Sequence, residues 1–311
     1  MDRRKFLQNS GLAIGATMLP AFNLNAVSLS SLYLNSWGDV RAQFQLSKDR
    51  IHMAQMFLAS HPLPVQQEIE RHRKNFDENP VTYWEEHGFT AEGVVQKAAA
   101  AYMKTEPEEI ALTDSTTMGL SLLYNGLRLK PGDEILSSTH DHYATDKSLD
   151  YAAAKNGATI RRITLYKDAA NVSVDEVVSA VTGGIRPATR VVARTWVHSV
   201  TGVKLPIKGI ADAIARANGQ RDATTRIIFC VDGVHGFGVE NASMTDLGCD
   251  FFVAGTHKWI FGPRGTGVLF GKKELWNRVI PTIPAFSYNA YGGWLGMVPE
   301  GNLNFGDGVT P

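Results

Sequence analysis

Seven short apolar runs, separated by amphipathic stretches, follow one another from about residue 108 onward. Each run has the length of a buried strand, and the stretches between the runs have helical periodicity. The runs are residues 109–112, 134–136, 159–163, 189–193, 226–231, 251–254 and 267–270. Because strands that alternate with helices pair mostly in parallel, the sequence predicts an α/β domain with a mostly parallel mixed sheet flanked by helices.

The segment before these runs, about residues 39 to 105, is polar and has a helical pattern. Apolar side chains recur at helical spacing most clearly in residues 65–71 and 92–102. We therefore expect helices on the outside of the protein in this part of the chain.

Charge and cysteine content exclude several classes of function. The chain carries 31 basic and 31 acidic side chains, so its formal net charge is zero, and it has no long basic run. A DNA or RNA partner is therefore not expected. Cys230 and Cys249 stand in apolar stretches without companion histidines, which predicts buried free thiols rather than a disulfide or a zinc site. No metal site is predicted.

The N-terminus has the pattern of an export signal. Arg3, Arg4 and Lys5 form a basic start, and the mildly apolar residues 11–20 follow. The apolar run is too short to span a membrane, and the paired arginines before Phe-Leu are typical of a twin-arginine (Tat) signal. We expect a Tat-type signal over residues 1–28, export to the periplasm and an N-terminal arm over 29–60. A basic amphipathic helix is the alternative.

Polar residues follow several of the predicted strands, at the sheet edge where ligands of α/β proteins gather. Hydroxyls in residues 113–119 open a helix and could either hold a phosphate or serve as an ordinary N-cap. Asp232 ends a strongly apolar run and needs a cationic or hydrogen-bonding partner, which a ring nitrogen, a metal, a helix N-terminus or a ribose could each supply. Lys258 lies between His257 and Trp259, and a partly desolvated lysine there is a candidate Schiff-base nucleophile, although an isolated lysine is usually solvated.

Three motifs stand in a characteristic order along the chain, at residues 231–236, 255–258 and 262–267. Together they resemble the class V aminotransferase family of fold-type I pyridoxal-5′-phosphate (PLP) enzymes, over most of residues 60 to 290. That family includes cysteine desulfurases, isopenicillin N epimerase-like proteins, transaminases and lyases. The resemblance implies PLP as cofactor and a PLP-binding large domain over residues 61–290. It also implies that residues 291–311 begin a truncated C-terminal segment whose small domain is expected to be missing.

The resemblance further implies roles for individual residues. Lys258 would carry the cofactor as a Schiff base, and Asp232 would pair with the pyridinium nitrogen. His235 would approach the phenolic oxygen, and His142 would stack on the ring. The remaining implied cofactor contacts are Ser115, Thr116, Thr117 and His257 at the phosphate, and Ser199 beside the ring.

Some of these assignments leave alternatives open. Tyr143 or His140 could stack on the ring instead, and Ser199 could be an ordinary turn serine. Gly255 stands where cysteine desulfurases have a phosphate-binding hydroxyl, so one contact is expected to be lost or supplied by Thr256. The family's substrate-carboxylate arginine and the reactive cysteine of desulfurases lie in the later segment and are not assigned.

The resemblance implies chemistry on an amino-acid-like amine, in which Lys258 is released and acts as general base at the Cα carbon. Because cysteine desulfurases more often carry Gln at the position of His235, we expect a transaminase or epimerase-like enzyme. A carbon–sulfur lyase or cysteine desulfurase is the alternative. It is disfavoured because periplasmic export would separate it from iron–sulfur assembly in the cytoplasm. A non-catalytic PLP-fold protein is a third possibility. The family also implies a homodimer.

Overall fold

The structure, a computed structural model, describes residues 36–88, 90–284 and 295. The predicted export signal lies outside the described residues, as does the segment 291–311 apart from Leu295. The predicted domain boundaries therefore stay predictions.

A seven-stranded sheet is the centre of the fold, in the order β1-β7-β6-β5-β4-β2-β3. Its strands in chain order are β1 (Ile110–Thr113), β2 (Glu134–Ser138), β3 (Thr159–Ile163), β4 (Thr189–Thr195), β5 (Ile228–Asp232), β6 (Phe251–Gly255) and β7 (Gly267–Gly271). Strand β7 is antiparallel to β1 and β6, and the other four pairs are parallel. Each predicted run forms a strand, which confirms the predicted fold class.

The helices belong to two compact units. Among the described residues, the first unit takes in 36–51, 60–88, 90–91 and 295, and the second takes in 52–59 and 92–284. The helices are α1 (Trp37–Ala42), α2 (Leu63–Glu78), α3 (Pro80–His87), α4 (Ala91–Met103), α5 (Thr116–Gly126), α6 (Tyr143–Asn156), α7 (Val174–Gly184), α8 (Ile207–Asn218) and α9 (Met244–Leu247). Within the described ranges, no helix combines the length and the apolarity that crossing a bilayer requires.

Helices cover both faces of the sheet in the second unit. Helices α5 and α6 contribute to one buried cluster, and α7, α8 and α9 to the other. Helix α8 shows why: Ile207, Ile210 and Ile214 recur at helical spacing, and each is at most 3% exposed. Burying each of these side chains contributes about 1.5–3 kcal/mol, so sheet and helices hold each other in place.

The parallel strands end at one edge of the sheet. Asp232 closes β5 and pairs with Val253, two residues before Gly255 closes β6. Gly255 and Thr113 both pair with Gly267, so the ends of β6 and β1 lie on either side of the start of β7. Residues just after β5 and β6, or just after β1, are therefore brought to the same edge.

Candidate active site at the carboxyl edge of the sheet

Lys258 and His235 lie on the loops that leave two neighbouring parallel strands. The Lys258 Nζ atom is 3.2 Å from His235 Nε2. Burial lowers the pKa of Lys258, and the charge of Asp232 opposes this shift. Burial, followed by the charge of Lys258, also lowers the pKa values of His142 and His257. The lysine is thus half-buried among histidines, and its amine loses its proton more readily than the amine of an exposed lysine.

Asp232 is a buried carboxylate with few partners. Its side chain is 1% exposed, Oδ1 accepts a hydrogen bond from the Val234 amide at 3.2 Å, and Oδ2 accepts one from the Thr145 hydroxyl at 3.3 Å. Burial raises its pKa to about 6, although the Val234 amide and the charge of Lys258 both act to lower it. Among the described residues, no lysine, arginine or histidine nitrogen lies within salt-bridge distance. The site can therefore accept a cationic N–H group at this carboxylate.

His235 is fixed between two partners on the other loop. Its Nε2 atom faces Lys258, and its Nδ1 atom accepts a hydrogen bond from the Trp259 indole at 3.3 Å. Burial, then the charges of Lys258 and His142, lowers the pKa of His235 to about 4. The imidazole is therefore neutral at physiological pH.

The start of helix α5 offers a set of free amides. Ser115 is the N-cap, and its side chain accepts the Met118 amide at 3.1 Å. The amides of Thr116 and Thr117 are in the first turn and have no acceptor within the helix. Thr116 is buried and accepts the Gly255 amide at 2.8 Å, whereas Thr117 is exposed. The helix terminus and the loop after β6 thus meet at Gly255, in a setting that suits an anion.

The loop after β6 contributes His257 to the same region. A side-chain carbon built at Gly255 would lie 2.9 Å from His257 Cε1 and 3.0 Å from the Thr116 hydroxyl oxygen. The Thr256 hydroxyl, in contrast, bonds to the Thr266 hydroxyl and to the Pro263 carbonyl at 3.2 Å. The predicted substitute hydroxyl is therefore engaged in its own turn.

His142 is the N-cap of helix α6 and keeps an exposed ring. Its Nδ1 atom accepts the Ala144 amide at 3.2 Å, and Lys258 lies close enough for its charge to affect the ring. The two alternatives are placed differently. His140 stacks on Tyr166 with 4.1 Å between ring centroids, and Tyr143 is 70% exposed. His142 therefore remains the predicted stacking residue.

Ser199 lies in the turn that follows β4. The turn is closed by a 2.8 Å hydrogen bond from the Gly202 amide to the His198 carbonyl. His198 is buried and its Nδ1 atom lies 2.9 Å from the Tyr166 hydroxyl. These bonds hold the turn at the end of β4, and the role of Ser199 beside a cofactor stays a prediction.

Two residues of the site were not assigned from the sequence. Thr145 bonds to Asp232, and Trp259 bonds to His235. Thr145 follows His142 by three residues, so both lie on one face of the first turn of α6, and this spacing could have indicated it. Trp259 is next to Lys258, but nothing in the sequence shows which ring its indole reaches.

Asp141 is a third unassigned residue, and it joins two strand ends. One carboxylate oxygen accepts the Ser138 amide and the other accepts the Thr195 amide, both at 2.8 Å. It therefore ties the end of β2 to the end of β4 just before His142 begins helix α6. We assign it a structural part in placing that helix.

The two cysteines behave as predicted. Cys230 and Cys249 are free and fully buried. Burial raises the pKa of both thiols, that of Cys249 to about 12. Neither side chain is available as a thiolate at physiological pH.

A family model described as Aminotransferase class-V matches residues 64–287. The curated relatives include a cysteine desulfurase of Pectobacterium carotovorum, 31% identical over 193 residues that cover 61% of this chain and 44% of the relative. A probable cysteine desulfurase of Pseudomonas putida is 33% identical over 181 residues, covering 57% of this chain and 41% of the relative. The chain thus spans less than half the length of these curated relatives.

Solved structures share the fold at low identity. A mutant of C-DES with glycine covalently linked to its PLP cofactor superposes with a TM-score of 0.70 at 23% identity, covering 79% of this chain and 62% of that one. The apo cysteine desulfurase from Thermococcus onnurineus NA1 gives 0.66 at 22%, covering 79% and 59%. The named relatives are desulfurases, so the comparisons support the carbon–sulfur alternative better than the transaminase or epimerase that the sequence favoured.

Proposed function

Because the chain belongs to the class-V aminotransferase family, we propose that it is a PLP-dependent enzyme that cleaves the carbon–sulfur bond of an amino-acid substrate. The observation that carries the proposal is the Lys258 amine, half-buried beside His235 and the fully buried Asp232. The desulfurase relatives support the sulfur-containing substrate.

The residues at the sheet edge fit PLP. Asp232 is buried without a salt-bridge partner among the described residues, and a protonated pyridine nitrogen would supply one. The first amides of α5, with the Thr116 hydroxyl and His257, can hold a phosphate group. The partly desolvated amine of Lys258 can form the covalent link.

When bound, PLP draws electrons from the substrate Cα carbon, which makes its proton removable. Asp232 keeps a proton on the ring nitrogen, because an ionised buried carboxylate stabilises the adjacent positive charge. Lys258 Nζ can take the proton from Cα and return it, since burial favours its neutral amine. His235 Nε2 lies 3.2 Å from Lys258 Nζ and can orient that amine, and the exposed ring of His142 would stack on the cofactor.

The two buried cysteines bear on which group accepts the sulfur. Cys230 and Cys249 are fully buried with raised thiol pKa values. We therefore propose that neither Cys230 nor Cys249 accepts the sulfur of the substrate.

The test begins with the full chain and PLP. A visible band at about 420 nm is expected in the wild type but not in Lys258→Ala. Lys167→Ala, which changes an exposed lysine, is the control and should keep the band. Borohydride should then fix the label on the peptide that contains Lys258. A protein that gives no band and no labelled peptide would be a non-catalytic PLP-fold protein, and the proposal would fail.

The second step separates the reaction classes. The loaded protein is supplied with L-cysteine or L-cystine and a reducing thiol, and in parallel with amino donors and 2-oxo acids. Sulfide with a three-carbon product supports carbon–sulfur cleavage. Amino transfer to the oxo acid, or loss of Cα chirality without sulfide, would instead return the transaminase or epimerase interpretation.

We also propose export by the Tat route and a homodimer, both expected from the sequence. The paired Arg3 and Arg4 support export, and changing both to lysine should retain the protein in the cytoplasm, as cell fractionation would show.

The family resemblance supports the dimer, and light scattering on the full chain tests it.

A further inference from the structure

The hydrogen bond between Trp259 and His235 fixes a proton position. The indole Nε1–H group lies 3.3 Å from His235 Nδ1 and donates to it. An indole nitrogen can only donate, so Nδ1 must be the unprotonated nitrogen of the ring. A neutral imidazole carries one proton, which then resides on Nε2.

The proton on Nε2 points to the lysine. Nε2 is 3.2 Å from Lys258 Nζ, and an ammonium group has no lone pair that could accept from it. The hydrogen bond can form only when Lys258 is a neutral amine. We propose that Trp259 is a positioning residue that fixes His235 in the Nε2–H tautomer, so that His235 donates to Lys258 and stabilises its neutral amine.

The backbone holds the two loops at this distance. Gly238 has a φ of +91°, and a side-chain carbon there would lie 2.7 Å from the carbonyl carbon of Trp259. The loop after β5 thus lies directly against the loop after β6. Main-chain packing therefore brings the loops that carry His235 and Trp259 together.

The groups that face Lys258 define the setting of this bond. Asp232 at the end of β5 favours the ammonium form, and His142 at the start of α6 and His257 on the lysine's own loop interact with its charge. Burial lowers the pKa of all the histidines concerned, that of His235 to about 4. At neutral pH the His235 donor therefore acts in the same direction as burial, against the charge of Asp232.

The tautomer itself does not rest on the proposed function, whereas the use of the neutral amine does. It can be measured by NMR on the ¹⁵N-labelled full chain freed of PLP, through two-bond ring correlations that distinguish the tautomers. The chain has nine histidines, and His235→Asn identifies the signal of interest. We expect a single Nε2–H form in the wild type and a mixture of tautomers in Trp259→Phe.

Trp276→Phe is the matched control, because the Trp276 indole is buried and has no hydrogen-bond acceptor among the described residues. The control should leave the His235 signal unchanged. An Nδ1–H form in the wild type would overturn the proposal without any variant. A wild-type pattern that persists in Trp259→Phe would overturn it as well.

A second readout follows Lys258 directly. Acylation of its peptide by a limiting reagent, compared with that of Lys167, gives the neutral fraction as a function of pH without PLP. In Trp259→Phe the pH midpoint of Lys258 acylation should rise. Below that pH the reactivity of Lys258 should fall about fivefold, which corresponds to the loss of one hydrogen bond. An unchanged or lower midpoint contradicts the proposal. Because no cofactor is present, this result is independent of the absorption band that tests the proposed function.

Discussion

Replacing Asp232 by asparagine should stabilise the protein in the absence of PLP. The side chain is 1% exposed, and burial raises its pKa from the ordinary 3.8 to about 6. The native state therefore disfavours the ionised form, at a cost of about 3 kcal/mol when the group is fully charged. An amide has the same shape: its oxygen can accept from the Val234 amide, and its NH2 group can donate to the Thr145 hydroxyl, which reverses that bond. Asp232→Asn removes the charge and should recover most of that free energy.

The stability difference between Asp232→Asn and the wild type should depend on pH. A carboxyl whose folded pKa is raised costs nothing below its unfolded pKa of 3.8, and the cost is complete above its folded pKa of about 6. Urea unfolding without PLP should show the variant more stable by about 3 kcal/mol at pH 7.5 and by about half of that at pH 5. Adding PLP should reverse the order, because only the carboxylate can pair with a protonated ring nitrogen.

Asp250→Asn is the matched control, because Asp250 is a buried carboxylate that does have salt-bridge partners. Asp250 is 3% exposed and lies 2.9 Å from Arg226 and 2.8 Å from Lys272. Removing its charge leaves two cations unpaired and should lower the free energy of unfolding by about 3 kcal/mol. The reasoning is refuted if Asp232→Asn is no more stable than the wild type at pH 7.5, or if PLP stabilises both equally.

Two further variants test how the site is held. Thr145→Val keeps the buried shape but removes the hydroxyl that bonds to Asp232. PLP affinity, measured by fluorescence titration, should therefore fall about fivefold. An unchanged affinity would contradict this expectation. Gly233→Ala would place a carbon 1.9 Å from the Phe252 ring and should lower the free energy of unfolding in urea by about 3 kcal/mol. Gly183→Ala is the control, because the space around Gly183 is open, and it should be neutral or slightly stabilising. Equal stabilities of the two variants would show that the turn after β5 can relax.

The sheet could be predicted from the sequence because each strand is short, apolar and bounded by polar or turn residues. Residues 251–255 are buried on both faces and are therefore continuously apolar, as in parallel sheets generally. The edge strand β3 was also recognisable, although it carries Arg161 and Arg162. Those side chains bond to Glu134 at 2.8 Å and to Asp146 at 2.7 Å, so their charges are compatible with the strand.

The site could be predicted only in part. Asp232 ends β5 and Lys258 lies three residues after the end of β6, so the rule that ligands bind at carboxyl ends was enough to single them out. The bonds of Thr145 and Trp259 depend on side-chain directions across the gap between loops, which one-dimensional spacing does not fix. The sequence likewise does not show that Thr117 is exposed while Thr116 is buried.

The fixed tautomer bears on the choice between reaction classes. His235 was the residue that favoured an epimerase-like enzyme, because desulfurases more often carry Gln at that position. A glutamine amide offers an N–H donor that does not depend on pH. A histidine whose Nδ1 is occupied by Trp259, and whose pKa is lowered to about 4, also offers a permanent N–H donor at Nε2. Glutamine and this histidine can then both donate an N–H hydrogen bond beside Lys258, so His235 does not argue against carbon–sulfur chemistry.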